Sequence, residues 1–149
     1  MLKGRLPYRL LIQGEGPKHL LLEEFKQDVS SVLLGTASFW EGVDVPGEAL
    51  SCVIIDKLPF DPPTEPVTQA RIERIADQGE NPFYHYQIPA AIITLKQGLG
   101  RLIRSTEDRG VLSILDSRIL TKEYGKLFLQ SLPPAPVVQK REEIRRIFE

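Results

Sequence analysis

The sequence predicts a three-layer α/β domain whose sheet is mainly parallel. Two short runs, 32–34 and 52–55, contain only apolar residues and end at Gly35 and Asp56. Strands without polar alternation are typical of a parallel sheet that helices cover on both faces. Amphipathic helical segments alternate with these strands along the chain, which is the order expected of a layered α/β fold. The length of 149 residues suffices for one such domain.

The individual elements follow from apolar patterning and from proline and glycine positions. We expect strands at 8–13, 32–34, 52–55 and 111–115, and an aromatic turn at 81–86. We expect helices at 16–28, 66–76, from about 88 to a break at Gly110, at 124–129 and at 139–148. Pro17 suits the first position of the first helix, because the N–H that proline lacks has no intrahelical partner there.

Composition excludes several classes of protein. The net charge of −1 gives no global signal for nucleic acid, so any contact to DNA must use a local patch. A single cysteine, Cys52, rules out an internal disulfide and argues against a cysteine-ligated metal site. The apolar stretch 88–95 is too short to cross a bilayer, and no signal-like segment is present. We therefore expect a soluble cytoplasmic protein that has no membrane partner.

The segment 97–104, QGLGRLIR, carries the strongest chemical signal. At 100° per residue of helix, Gln97, Gly100, Arg101 and Arg104 fall within about 100° of one another. Leucine and isoleucine side chains occupy the opposite side. Two glycines inside a helix each cost roughly 1 kcal/mol relative to alanine, and a local rule broken beside arginines favours a functional site. Guanidiniums of this kind suit phosphate, although a solvated surface helix is the simpler alternative.

The loop 35–47, GTASFWEGVDVPG, is the second candidate. It follows a predicted strand end, where open α/β sheets bind their ligands. Asp44 has the chemistry to accept hydrogen bonds from a ribose, and Thr36 and Ser38 have hydroxyls to donate to phosphates. The alternative is a long loop that Trp40 pins in the core while Glu41 and Asp44 are solvated.

The remaining candidates are weaker. Gly14-x-Gly16 follows a strand, but it lacks the third glycine of a dinucleotide fingerprint, so we expect a plain tight turn. Asp116 and Arg118 follow the last strand, and either a role in the cleft or a structural ion pair fits them. Glu65, in a proline-rich connection, is expected to be solvated. Neither histidine has a partner pattern for a metal or a catalytic triad.

Together the two strong segments resemble the C-terminal motor domain of superfamily 2 DNA helicases, closest to the DinG/XPD-like branch. GTASFWEGVDVPG is similar to the fifth motif of that branch, and QGLGRLIRSTEDRG is similar to its sixth. Between them, VIIDKLPFDPPTEP is similar to a family strand and its Leu-Pro-Phe loop. The resemblance spans roughly residues 8 to 134. It implies a RecA-like fold of the P-loop NTPase type, and an ATP-dependent DNA helicase that belongs to DNA repair.

The resemblance also implies roles for residues. Arg104 would be the arginine finger and Arg101 a second catalytic phosphate contact. Single-stranded DNA would lie against Thr36 and Ser38. The ATP-binding residues would be Gln97, Gly100, Glu41, Gly42 and Asp44.

The chain lacks several sequence motifs of a complete helicase. It contains no Walker lysine motif, no acidic magnesium box and no four-cysteine iron–sulfur set. ATP and Mg²⁺ would be bound mainly by a first RecA-like domain outside this chain, and no iron–sulfur cluster is expected within it. We expect residues 1–137 to form the helicase C-terminal domain, truncated at its N-terminus and inactive alone, and 138–149 to form a terminal helix or tail. The alternative is a stand-alone, non-catalytic nucleotide- or nucleic-acid-binding regulatory module.

Overall fold

The computed structural model describes residues 5–36, 39, 45, 49–103, 108–140 and 142–144. Within this part the strands are β1 Leu10–Ile12, β2 Val32–Leu34, β3 Cys52–Ile55 and β4 Val111–Ile114. The helices are α1 Lys18–Gln27, α2 Pro66–Asp77, α3 Ile88–Leu102, α4 Arg118–Thr121 and α5 Gly125–Ser131. A π-helical turn, Phe83–Gln87, leads directly into α3. Of the predicted terminal helix 139–148, residues 139, 140 and 142–144 are described, and 142–144 are helical; the others lie outside the described residues.

All strand pairs are parallel, as predicted. β1 pairs with β2, with Leu10 opposite Val32, and β3 pairs with β4, with Cys52 opposite Val111. In the described residues these pairs form two separate two-stranded sheets, whereas one sheet was expected. Each pair has its own hydrophobic cluster, so the chain builds its core in two parts.

The larger cluster lies between β3–β4 and helices α3 and α5. Leu95 of α3 and Phe128 of α5 are fully buried within it. The other buried members are Ile55, Leu58, Ile88, Ala91 and Ile119. Because α3 buries one side along its length here, its other side is held in a fixed orientation.

The opposite face of β3 is open. Cys52 is exposed and residue Ile54 is 65% exposed, so no described element covers this face. The expectation that β3 is buried on both faces is therefore wrong for the described structure. An apolar strand sequence shows that both faces tolerate burial, but the layer that covers a face comes from other parts of the chain.

The smaller cluster joins α1 to β1–β2. Leu11, Leu21 and Phe25 are buried in it, together with Phe39 and Val45 from the loop after β2. α1 begins at Lys18, one residue later than its proline suggests. Pro17 is the N-cap residue, because its ψ of 138° is extended and not helical.

The connection after β3 is ordered by capping and by aromatic contacts. Glu65 is exposed, as predicted, but it also has a structural role: it is the N-cap of α2 and accepts a hydrogen bond from the Thr68 N–H at 2.7 Å. Phe60 stacks on Phe83 with ring centroids 5.7 Å apart and meets the edges of Tyr124 and Phe128. These rings fix the π-helical turn against α5.

Candidate functional site: the strand ends and the exposed side of α3

The first candidate region lies where β1 and β2 end side by side. Gly14 has φ +95°, and the Glu15 N–H donates to the Ile12 carbonyl at 3.0 Å, which gives the tight turn predicted for Gly14-x-Gly16. Gln13, directly before that turn, reaches the start of the loop after β2. Its backbone N–H donates to the Leu34 carbonyl at 2.9 Å, extending the parallel ladder by one residue.

The Gln13 side chain makes a two-pronged contact with Thr36. Its Oε1 atom accepts hydrogen bonds from the Thr36 N–H at 2.8 Å and from the Thr36 hydroxyl at 3.1 Å. The threonine hydroxyl has one proton, and in this arrangement it is donated to Gln13. Sequence reasoning assigned that proton to a phosphate and did not single out Gln13. The sequence feature that could have indicated Gln13 is its position at the end of a predicted strand, directly before the Gly14-x-Gly16 turn.

Gly35 is closely packed at this point. A Cβ atom there would lie 3.0 Å from the Phe39 side chain and 3.3 Å from Gln13 Oε1. Phe39 is buried, its N–H donates to the Thr36 carbonyl at 2.9 Å, and Lys18 Nζ lies 5.1 Å from its ring centroid. Gln13, Gly35, Thr36 and Phe39 thus form a closely packed group, which we call the strand-end cluster.

The second candidate region is the exposed side of α3. Gln97 and Gly100 are exposed and Arg101 is half-buried, so the helix brings these predicted residues together on the side that does not face the core. The buried side includes Ala91, Leu95, Gly98 and Leu102. The two glycines therefore differ, since Gly98 faces the core while Gly100 has open space around the position of a Cβ atom.

The predicted alignment of Arg104 with this face needs correction. α3 ends at Leu102, and Ile103 is extended, with φ −118° and ψ 111°. The helical angle of 100° per residue therefore cannot be carried as far as position 104. Arg104 itself lies outside the described residues, as do four other predicted site residues: Ser38, Glu41, Gly42 and Asp44.

The Asp116–Arg118 pair is a structural latch. The side chain of Asp116 is buried, and its Oδ2 accepts hydrogen bonds from the Leu58 N–H at 2.8 Å and from Arg118 at 2.6 Å. The Arg118 guanidinium, followed by the Leu58 and Arg118 N–H groups, holds the pKa of Asp116 well below its usual range. The latch joins the end of β4 to the loop after β3, so the structural alternative accounts for this carboxylate.

Other polar groups add no catalytic constellation in the part of the chain that the structure describes. His85 Nδ1 lies 3.4 Å from Glu80 Oε2 at the surface. No group of three histidine, cysteine, aspartate or glutamate side chains in these residues is placed to hold a metal ion. No helix among them is long and apolar enough to cross a membrane.

Comparison with known proteins identifies the family. The model of the helicase C-terminal domain family matches residues 2–135. This chain belongs to the helicase C-terminal domain family. Membership implies a RecA-like α/β fold, and the parallel strand pairs and packed helices agree with it. The predicted family is confirmed.

Its relatives are DinG-like. The chain is 59% identical over 124 residues to the ATP-dependent DNA helicase YoaA of Haemophilus influenzae, covering 83% of this chain and 19% of the relative. It is 54% identical over 127 residues to Escherichia coli YoaA, covering 85% and 20% of the two chains. It is 41% identical over 150 residues to the ATP-dependent helicase DinG of Mycobacterium tuberculosis, covering 98% and 23%. The chain thus spans about a fifth of the length of these helicases.

Proposed function

We propose that this chain is the C-terminal motor domain of an ATP-dependent DNA helicase and supplies half of its ATP site. The other half would come from the first RecA-like domain, so the chain alone would not hydrolyse ATP. In this arrangement Arg104 is the arginine finger and Arg101 a second phosphate contact. The relatives named as ATP-dependent DNA helicases support the proposal, because the chain aligns with them over at least 83% of its own length.

The observation that carries the proposal is the presence of Gln97 and Gly100 together on the exposed side of α3. Gln97 and Gly100 are exposed immediately before the helix ends, and Arg104 follows the extended Ile103 in the sequence. α3 is held by the buried residues of its other side, so a ligand would meet polar groups on a rigid support. The open space at Gly100 permits close approach of a phosphate.

The remaining site residues complete the proposal by their place in the matched motifs. Glu41, Gly42 and Asp44 would line the nucleotide side of the cleft with Gln97 and Gly100. Thr36 and Ser38 would face single-stranded DNA. Mg²⁺ would be held mainly by the first domain; the described residues of this chain form no metal-ligand cluster.

We also propose that the domain has three layers in the intact helicase. The parallel pairing and the helices on one face of β3–β4 support this architecture. It requires a covering layer on the face of Ile54 and a connection between the two strand pairs.

The arginine finger has a direct test in the intact helicase. Arg104→Ala should leave single-stranded DNA binding near normal and lower DNA-stimulated ATP hydrolysis by about 10³- to 10⁵-fold, because a finger acts on charge that develops in the transition state. Initial rates of phosphate release and fluorescence anisotropy with a labelled oligonucleotide measure the two effects.

A matched control separates the finger from a general loss of positive charge. Arg74 is exposed on α2, and Arg74→Ala removes the same charge without touching the site. ATP turnover of Arg104→Ala that equals turnover of Arg74→Ala would refute the assigned role.

A further inference from the structure

We propose that Gln13 contacts the phosphate backbone of single-stranded DNA through its side-chain amide, and that Thr36 orients this amide. The inference rests on the proposed function, because it takes the strand-end cluster as part of the DNA side of the motor. It adds a binding residue, Gln13, which lies outside both helicase-like segments of the sequence.

The orientation of the amide follows from its two contacts. A backbone N–H and a hydroxyl that both point at one atom require that atom to be an acceptor, so the Gln13 atom facing Thr36 is the oxygen Oε1. The Nε2 amino group lies in the same amide plane, on the branch of the amide that does not face Thr36. Gln13 is exposed, and no described residue accepts a hydrogen bond from Nε2.

The strand-end cluster holds the Gln13 amide so that its Nε2 amino group is a preorganised hydrogen-bond donor. Thr36 gives its hydroxyl proton to Gln13, so the donors that point outward from this contact are the two N–H bonds of Nε2. Because residue 35 is glycine, its backbone can lie close to the Gln13 side chain. The buried Phe39 anchors the loop after β2 in the core. An amide whose rotation is already restricted loses little entropy on binding a phosphate oxygen.

The surroundings suit an anionic ligand. Lys18 Nζ lies over the Phe39 ring at the same end of β1–β2, which adds positive charge beside the cluster. A neutral amide and a lysine recognise phosphate oxygens without reading the bases. The expected ligand is therefore a nucleic-acid backbone, bound independently of sequence.

Two substitutions at one position distinguish a phosphate contact from a structural role. Gln13→Glu keeps an oxygen for Thr36 but replaces the amino group with a second carboxylate oxygen, which repels phosphate. Gln13→Met removes both functions at the same length. For a direct contact in the intact helicase, Gln13→Glu should weaken binding of a fluorescent oligo-thymidylate roughly 10-fold or more, and Gln13→Met roughly 2- to 12-fold.

Gln27→Glu is the matched control, because Gln27 is exposed at the end of α1 and the charge change is the same. It should change DNA affinity by less than about 2-fold at physiological salt, where exposed charges are screened. Thermal unfolding of all three variants reports whether the fold is retained. The KM for ATP of Gln27→Glu, measured without DNA, should stay unchanged.

The outcomes separate this inference from the proposed function. If Gln13→Glu binds the oligonucleotide as the unsubstituted helicase does, Gln13 is a structural tie to Thr36 and the inference is wrong. The proposed motor function is then still tested separately, by the ATPase activity of Arg104→Ala. If Gln13→Glu weakens binding only as much as Gln27→Glu, the effect is one of overall charge and the inference is equally overturned.

Discussion

Asp116 shows how one buried carboxylate sets the geometry around β3 and β4. It accepts hydrogen bonds from the Leu58 N–H and from Arg118, whose guanidinium also lies 5.5 Å from the Phe60 ring centroid. The loop after β3, the end of β4 and the aromatic contacts are therefore joined at a single side chain. Loss of its charge should loosen all three.

The pH dependence of stability follows from the sign of this shift. The pKa of Asp116 is lowered in the folded chain, mainly by Arg118, relative to about 3.9 in the unfolded chain. Its stabilisation is therefore complete above the unfolded pKa and is lost as the pH falls toward the folded one. We expect the free energy of unfolding to fall more steeply below about pH 4 in the unsubstituted chain than in Asp116→Asn.

Urea unfolding between about pH 2 and pH 6 measures this difference. Asp61→Asn, at an exposed position of the proline-rich connection, serves as the control and should keep the steep dependence. Parallel curves for Asp116→Asn and the unsubstituted chain would contradict the assignment of Asp116 as the titrating latch.

At the scale of elements, α3 is a helix whose two sides have different tasks. Its buried side packs on β3–β4, and its last buried residue, Leu102, lies against Gly110 just before β4. A Cβ atom at Gly110 would lie 2.5 Å from Leu102 Cδ1, whereas nothing lies within 4 Å of one at Gly100. The two glycines therefore serve packing in one case and, by our proposal, ligand approach in the other.

Alanine substitutions at these two positions should have opposite effects on stability. Gly110→Ala should destabilise the chain by about 1–3 kcal/mol, because the buried Leu102 must move. Gly100→Ala should stabilise it by up to about 1 kcal/mol through helix propensity, and should lower ATP turnover in the intact helicase if phosphate approaches there.

Thermal or urea unfolding of both variants measures the two stability changes. ATPase assays of the intact helicase measure the effect of Gly100→Ala on ATP turnover. Each variant is the control for the other, since the chemical change is the same. A Gly100→Ala variant with full ATPase activity would show that no ligand group needs the open space at position 100.

At the scale of the whole molecule, the described chain has two cores and an open sheet face. One core holds α1 on β1–β2, and the other holds α3 and α5 on β3–β4. Half of an ATP site carried on such a chain should bind nucleotide weakly, because the γ-phosphate and Mg²⁺ would lack most of their partners.

Titration of the isolated chain with ATP tests the half-site. We expect a dissociation constant much weaker than about 1 μM by calorimetry, since the contacts of one wall alone yield little binding free energy. Submicromolar affinity without a partner would instead favour the alternative of a stand-alone nucleotide-binding module. Bovine serum albumin at equal concentration controls for non-specific heats.

The family, the parallel pairing and the order of the elements other than the short helix α4 could be predicted from the amino-acid sequence. These predictions rest on local sequence patterns: the apolar strands, the amphipathic helices and the two motifs at 35–47 and 97–104. α2 and α3 begin at the predicted residues, Pro66 and Ile88, and each predicted strand is present, with shorter bounds for β1 and β4.

Which apolar surfaces are covered, and which polar groups contact each other, depend on how the elements pack in three dimensions. Ile54 is exposed although its strand is wholly apolar, and Asp116 is a latch because β3 and β4 end side by side. The contact between Gln13 and Thr36 joins residues 23 positions apart, so no local pattern contains it. Such contacts depend on the distance between elements in space, which periodicity along one chain does not encode.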